Sequence, residues 1–541
     1  MIYRKFILAT AIAVCSLTLE AQTWAWARSC DGIGGSEGAG VCCDLSGNSF
    51  LTGYYSGPMT VGATTLNGFG VFLAKYDASG NALWAKTSAG TGSDYGLALA
   101  ADQSGNCLVT GYFSSSSFSL GAVTLSNTGN FNVFLAKYDP SGNVLWAKSS
   151  VGSMNDRASA ICTDASGNSY ITGLFSSSTA VFGSYTLTNS GTYNSFVVKY
   201  DPSGNVLWAR SSNGVAEGHA VSTDQAGNVY ACGQYYSPGA SFGGNTLTCG
   251  SGSEGFLVKY DPSGNVLWAR SSASPGGYNN AGAVTSFSNG AVYVSGNFST
   301  TTMFGTYSLS GTAASNLFVT KYDASGNVLW ARTAGGYAGA YSACNDNNSM
   351  YLSGLTSTNN LVLDSYTLNP GAGAPDPSFI ARFDPNGNVT YAEVLRSGSD
   401  DQNAIAVDHN CHLYFGGDFW NYGNQNQIFV IGTNTLYATG SEDAFIARLS
   451  FNCQQDGLAE YSKNATFQLY PNPSAGSFTI KLQQENSNAR LKVFDQLGRV
   501  VYESALESGE NLIQPHLKAG MYAYSVLQSG SMVARGKLLV E

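Results

Sequence analysis

The chain has 541 residues, of which only 11% are charged, with 65 glycines and 12% aromatics. It is long enough for more than one domain, and the composition suits tight turns and short aromatic-rich strands rather than long salt-bridged helices. A formal charge of -10, with basic residues scattered singly, excludes nucleic acid as a partner, because phosphate binding needs a concentrated field of Lys and Arg.

Residues 1–21 read as a signal peptide. Arg4 and Lys5 form the charged start, an apolar core runs to Leu19, and Ala21 supplies the small residue for cleavage. Export is therefore expected. Val14 before Cys15 is larger than a lipidation site accepts, and no later stretch approaches the ~20 apolar residues of a membrane helix. Of 11 cysteines, those beyond Cys15 follow no CxxC spacing. Cys42, Cys43, Cys162 and Cys344 fall near one position of a repeat, which fits buried thiols better than metal ligands.

From residue 22 the chain repeats. LWAK or LWAR recurs at Trp84, Trp146, Trp208, Trp268 and Trp330, with Trp26 before them and Tyr391 after, spaced 58, 62, 62, 60, 62 and 61 residues apart. Each repeat reads as two hairpins. The first turns at Asp44, Asp102, Asp164, Asp224 and Asp408, and the repeats around Phe287 and Asn345 lack that Asp. The second runs from a KYD strand through a turn such as Asp201-Pro202-Ser203-Gly204 into the LWAR strand. There Asp accepts a backbone bond, Pro presets φ, and Gly takes the left-handed angle of a bulged hairpin.

Two hairpins make a four-stranded sheet with apolar side chains on both faces, which must stack between copies of itself; a ring of such sheets is a propeller. The last repeat lacks an LWAR strand, while residues 23–28 supply one with no partner before it. The expected fold over 22–450 is an all-β, seven-bladed propeller closed by pairing 23–28 with 444–449. The pattern DxxGNxYxxG followed by FxxKYDxSGNxLWA resembles the secreted bacterial β-propeller repeats known as SBBP repeats, a family that implies no defined activity and no catalytic residue.

Residues 451–466 read as a polar linker, and 467–541 as a small β-sandwich of short alternating strands. YPNPSAGSFTI at 470–480, LKVFDQLGRVV at 491–501 and LKAGMYAYSV at 517–526 together resemble the C-terminal sorting domain of type IX secretion. The resemblance implies handling by that machinery and release, or surface attachment, outside a Gram-negative cell.

No motif marks an enzyme. Gly34 to Gly38 spells GxSxG and Gly250 to Gly255 spells GxGxxG, but both lie in glycine-rich loops without the helix such motifs need. Asp408-His409-Asn410-Cys411-His412 occupies a hairpin turn, and the DxSGN turns lack the distal Glu of a calcium loop. The DxxGxxxW rhythm and adjacent Cys42 and Cys43 resemble features of quinone-dependent dehydrogenase propellers, the enzyme alternative; no cofactor-binding set accompanies them.

Seven or eight residues before the turn Asp or its equivalent, the loops leading into the first strands carry Glu37, Asp94, Asp156, Glu217, Asn280 and Asp401, with Ala338 the exception. These are expected to ring one mouth of the central channel. Two readings of the ring stand: each carboxylate caps amides of its own loop, or the ring binds a cation or a hydroxyl-rich ligand. The leading functional reading is a non-catalytic binding or adhesion module for an extracellular polysaccharide or protein. A structural surface-layer protein is the alternative.

Overall fold

The computed structural model describes residues 22–540 apart from 275, 357–360, 370–376, 396–402, 421–427, 452–460, 463–466, 471–476, 483–488, 496–499, 519 and 529–530. The expected signal peptide and Asp401 lie outside the described residues. The chain divides into two compact units, Met1–Phe451 and Asn452–Glu541. Among the described residues every regular element is a β-strand, and every sheet is antiparallel.

The larger unit is propeller-like and built from quartets of strands. The first is Ser36–Cys43, Ser49–Ser56, Phe69–Tyr76 and Ala82–Ala89, and the same order recurs with first strands at Asp94–Ala101, Asp156–Thr163, Ala216–Thr223, Asn279–Ser286 and Ala338–Asn345. A last quartet combines Ala404–Val407, His412–Trp420 and Glu442–Ser450 with the N-terminal strand Thr23–Gly32. Its pairing sets Trp24 against Leu449, Ala27 against Ala447 and Cys30 against Ala444. Quartets are numbered one to seven in this order.

The recurring motif fastens one quartet to the next. In quartets one to five the LWAR tryptophan donates its indole N–H to the turn carbonyl of the following quartet: Trp84 to Pro140 (3.1 Å), Trp146 to Pro202 (3.0 Å), Trp208 to Pro262 (3.1 Å), Trp268 to Ala324 (3.2 Å) and Trp330 to Pro385 (3.4 Å). Trp26 does the same to Ala78 (3.1 Å) from the N-terminal strand. The turn glycine lies beneath that indole; at Gly80, with φ 80°, an added Cβ would come within 2.6 Å of Trp26. The KYD lysine reaches the same carbonyl, as Lys199 does to Pro262 at 3.1 Å. Quartet six has Tyr391 in place of Trp, and Phe451 packs there, its ring 5.1 Å from Tyr391 and 5.3 Å from Tyr351.

Three features depart from the sequence reading. Each quartet holds a third hairpin between its second and third strands, such as Thr179–Phe182 with Tyr185–Thr188. Its two-residue turn is left-handed at Gly62, Gly121, Gly183, Gly243, Gly305, Asp364 and Gly432. In several quartets the hairpin also bridges the fourth strand of the preceding quartet, as Ser119 to Ala89, or the residues just after it, as Val181 to Val151, and so covers an otherwise open edge. Secondly, quartet six does have a turn carboxylate: Asp346 accepts the amides of Asn348 and Ser349 and the Tyr351 hydroxyl. Thirdly, Cys411 is disulfide-bonded, whereas Cys30, Cys42, Cys43, Cys107, Cys162, Cys232, Cys249 and Cys344 are free.

In the C-terminal unit a five-stranded and a three-stranded sheet share one buried cluster that includes Ile480, Leu491, Val493, Tyr524, Val526 and Leu538. Two of its strands were not expected. Gly509–Ile513 completes the smaller sheet, and Tyr461–Ser462, inside the stretch read as a linker, pairs with Arg535 and Ala534.

Candidate functional site

The first strands of all seven quartets line a central cavity of about 630 Å³. Six of them carry a bulge at the same place, at Ala39, Leu97, Ser159, His219, Gly282 and Tyr341, where the register with the second strand slips by one. All six bulged residues face the cavity, as expected of a bulge, which re-aims a side chain. The bulge also explains the glycine that ends each DxxGNxYxxG: a Cβ at Gly111 would overlap the carbonyl oxygen of Tyr95.

At one end of the strands stand the DxSGN turns, where a smaller cavity of about 270 Å³ is lined by Asp44, Asp102, Asp164 and Asp224. These carboxylates are fully engaged. In Asp164, Oδ1 accepts the amides of Ser166 and Asn168, and Oδ2 accepts the Asn168 side-chain amide and the Tyr170 hydroxyl. Where Phe50 or Leu108 stands in the tyrosine's place, a lysine takes over: Lys75 lies 3.3 Å from Asp44 and Lys137 2.8 Å from Asp102. In quartet seven His412 replaces the asparagine, its Nδ1 2.8 Å from Asp408. The Asp408 to His412 run is thus a turn. Among the described residues no three His, Cys, Asp or Glu side chains form a metal-binding group.

The other end carries the expected acidic ring, and the structure does not assemble it. Asp94 and Asp156 pair with Phe113 and Phe175, in register with Ser36, Ala216 and Asn279; Glu37, Glu217 and Asn280 stand one residue further on. One residue along a strand reverses the face to which a side chain points. Asp94 is 1% and Asp156 0% exposed, and each is consumed locally. Asp94 accepts the Ser114 and Ser115 amides (3.0 and 3.1 Å) and the Ser115 hydroxyl (2.6 Å), and Asp156 repeats the pattern with Ser176 and Ser177. Burial raises both carboxyls above the usual range in spite of these bonds.

What occupies this mouth instead is aromatic. Tyr54 stacks on Tyr95 with centroids 4.6 Å apart, Tyr95 on Tyr112 at 5.2 Å, and Phe131 meets Tyr112 edge-on at 5.0 Å. Arg157 caps the strip, 4.9 Å from Tyr112 and 5.1 Å from Phe131. Glu37 lies beside it, raised by burial and bonded to Glu442; burial, followed by the charge of Glu37, pushes Tyr95 up to about 12. Across the mouth, Glu217 stands 3.5 Å from His219 Nε2 and accepts from Tyr236 at 3.5 Å. These bonds, that of His219 foremost, hold its carboxyl below the usual range. Tyr278, Tyr337 and Tyr341 are exposed.

Sequence reading missed this belt and His219. The available signal was departure from the repeat: His219 stands where other quartets have Ala39, Leu97 or Ser159. The adjacent Cys42 and Cys43 are both free, with Cys42 facing Cys107.

Residues 468–541 match the family of the secretion system C-terminal sorting domain. This tail marks the chain as a type IX secretion cargo for the medium or the cell surface. A WD repeat-containing protein of Acanthamoeba polyphaga mimivirus is 29% identical over 198 residues, which are 30% of this chain and 14% of that protein. The chain thus spans about a seventh of that relative. Three solved structures are similar at low scores. PorZ, a surface component of the type IX secretion system of Porphyromonas gingivalis, is 13% identical, covering 92% of this chain and 58% of its own, with a TM-score of 0.34. The polysaccharide lyase Uly1 is 11% identical (81% and 94% covered, TM-score 0.39), and a europium-containing methanol dehydrogenase is 12% identical (78% and 85%, TM-score 0.25). Likenesses this distant carry nothing about activity.

Proposed function

We propose that the larger unit is a seven-bladed β-propeller of SBBP repeats, closed by its N-terminal strand, that serves outside the cell as a non-catalytic binding or adhesion module. Closure is supported by the pairing of Thr23–Gly32 with Glu442–Ser450 and by contacts between successive first strands, the last of which touches the first. Deleting 22–32 leaves unpaired edges and lowers the melting temperature by at least about 10 °C; an unchanged melt contradicts closure.

One observation carries the binding reading: around one mouth, Tyr and Arg side chains replace the satisfied turns of the other. Such residues give rigid amphipathic contact area and are enriched where proteins bind. The ligand is an extracellular polysaccharide or a surface protein. The test is retention of cell-surface polysaccharides and proteins on the immobilised chain of residues 22–541. Retention that Tyr95→Ala with Tyr112→Ala weakens supports the reading. Ligand-free self-assembly without retention favours a surface-layer role, and a bound quinone chromophore favours the dehydrogenase alternative.

A further inference from the structure

The aromatic strip ends in a cation that the fold leaves unpaired. The other six described arginines of the larger unit are each bonded within the protein. Arg28, Arg210 and Arg270 donate to the carbonyls of Gly80, Gly264 and Gly326, Arg332 and Arg448 to those of Ala331 and Ala78, and Arg382 lies 3.9 Å from Asp346. Arg157 makes no hydrogen bond and no ion pair with the described residues, and its Nε is buried without an acceptor. The rings of Tyr112 and Phe131 hold it instead. Stacking of this kind fixes the guanidinium plane and leaves its charge uncompensated.

Carboxylates of the same and the next quartet are engaged elsewhere. Asp156 accepts from Ser176 and Ser177. Glu217, which holds the equivalent position one quartet on, lies against His219 and accepts from Tyr236. Beside Arg157 runs a row of phenols in a like condition. The hydroxyls of Tyr54, Tyr95 and Tyr112 bond none of the described residues, whereas those of Tyr55, Tyr170, Tyr230 and Tyr414 are each bonded inside the protein. The three rings are half-buried and stacked on one another, so what remains for a ligand is ring edges and hydroxyls.

A fixed guanidinium without a counter-ion, at the end of a row of unspent hydroxyls, matches a ligand with a carboxylate and hydroxyls on one rigid frame. We propose that Arg157, Tyr112 and Tyr95 form a subsite for a uronate residue of an acidic polysaccharide. The terminal nitrogens of Arg157 donate side by side to the carboxylate, and the phenols exchange hydrogen bonds with the sugar hydroxyls. An acidic peptide fits less well: Tyr54 and Tyr112 stand on strands paired on both sides, which offer no edge for a peptide backbone to extend. The proposal rests on the reading of the larger unit as a binding module and deepens it by naming the ligand class and the place.

The test titrates the chain of residues 22–541, by calorimetry, with hexamers of galacturonate, mannuronate and glucuronate, with the neutral galacto-, manno- and gluco-hexaoses, and with a hexaglutamate peptide. At least one uronate hexamer is expected to bind in the micromolar to millimolar range, more weakly as salt rises. Its neutral counterpart should bind at least about tenfold more weakly, and hexaglutamate not measurably. Arg157→Gln should weaken uronate binding about tenfold or more, and Arg157→Lys, which keeps the charge but loses the planar fork, severalfold. Tyr112→Phe, which keeps the ring and drops the hydroxyl, should also weaken it, and His412→Asn, at the far turns, should not. Thermal melts establish that each variant is folded, and Arg157→Lys with Tyr112→Phe keeps the test decisive if Arg157→Gln does not fold. Uronate binding that ignores these substitutions, neutral hexaoses that bind as tightly, or hexaglutamate that binds as tightly each overturns the proposal. Absence of binding across the panel also overturns it, while retention of other surface material by the same chain leaves the binding-module reading standing.

Discussion

The two ends of the quartets are made from the same strands yet follow opposite rules. At the turn end, Asp164 and Asp224 repeat one arrangement of bonds almost to the tenth of an ångström, and each acceptor is used. At the other end the corresponding positions hold Glu37, Tyr95, Arg157, Glu217, Asn280 and Gly339, no two alike in consequence. A repeat protein multiplies whatever each copy needs in order to fold against its neighbour. Chemistry present in every copy is therefore scaffold, however much a conserved-looking Asp or Trp suggests a site. Chemistry that breaks the repeat is free to serve something else.

The largest effect that sharpens this contrast comes from the clamp. Trp208→Ala removes a buried indole, its bond to Pro262 and its cover over Gly264, and should cost about 3–5 kcal/mol in denaturant titration without changing ligand affinity at the tyrosine mouth. A loss of affinity with stability intact would break the distinction.

A second comparison sets two carboxylates of opposite kind against each other by pH. Asp261, at a second-hairpin turn, is held below the usual range by the Asn265 side chain foremost and by backbone amides. A carboxyl lowered in the folded state stabilises above its unfolded value and loses that contribution as pH falls through its folded value. Asp261→Ala should therefore cost roughly 1 kcal/mol at pH 7, a deficit that vanishes toward pH 2. Asp94, raised by burial, runs the other way: its contribution is complete in acid and is lost as pH rises. Asp94→Asn should gain stability relative to the parent protein between about pH 4 and pH 7, measured as melting temperature against pH. Parallel pH profiles for the two variants would contradict the assignment.

The smallest expected effect concerns His412. Because its ring replaces the asparagine amide of the other turns, His412→Asn should alter stability by less than about 0.5 kcal/mol and leave any binding unchanged. A large loss of binding would restore the Asp408 to His412 run as a site.

Much of this scaffold is legible in the sequence because the turns and clamps are local and recur: Asp-Pro-Ser-Gly sets its own geometry, and Trp every 58 to 62 residues fixes the period. The third hairpin was legible too, in the recurring apolar-Gly-x-x-Thr-Leu of Phe182 to Leu187 and Phe242 to Leu247, but its strands of three or four residues are too short for alternation to stand out. The mouth was read in the wrong frame. Asp94 and Asp156 stand eight residues before their turn Asp but Glu37 and Glu217 seven before theirs, so gathering them into one ring merged two opposite faces of the strand. That His219 points into the cavity follows from the bulge there, which only the pairing with the second strand reveals.

The claim that function resides at the non-repeating mouth is tested most directly by hydrogen exchange on the chain of residues 22–541, with and without a cell-surface polysaccharide or protein that it retains. The account predicts slowed exchange around Tyr54, Tyr95, Tyr112, Glu217, Asn280 and Tyr341, with the turns at Asp44, Asp102, Asp164 and Asp224 unchanged. Protection confined to those turns would contradict it.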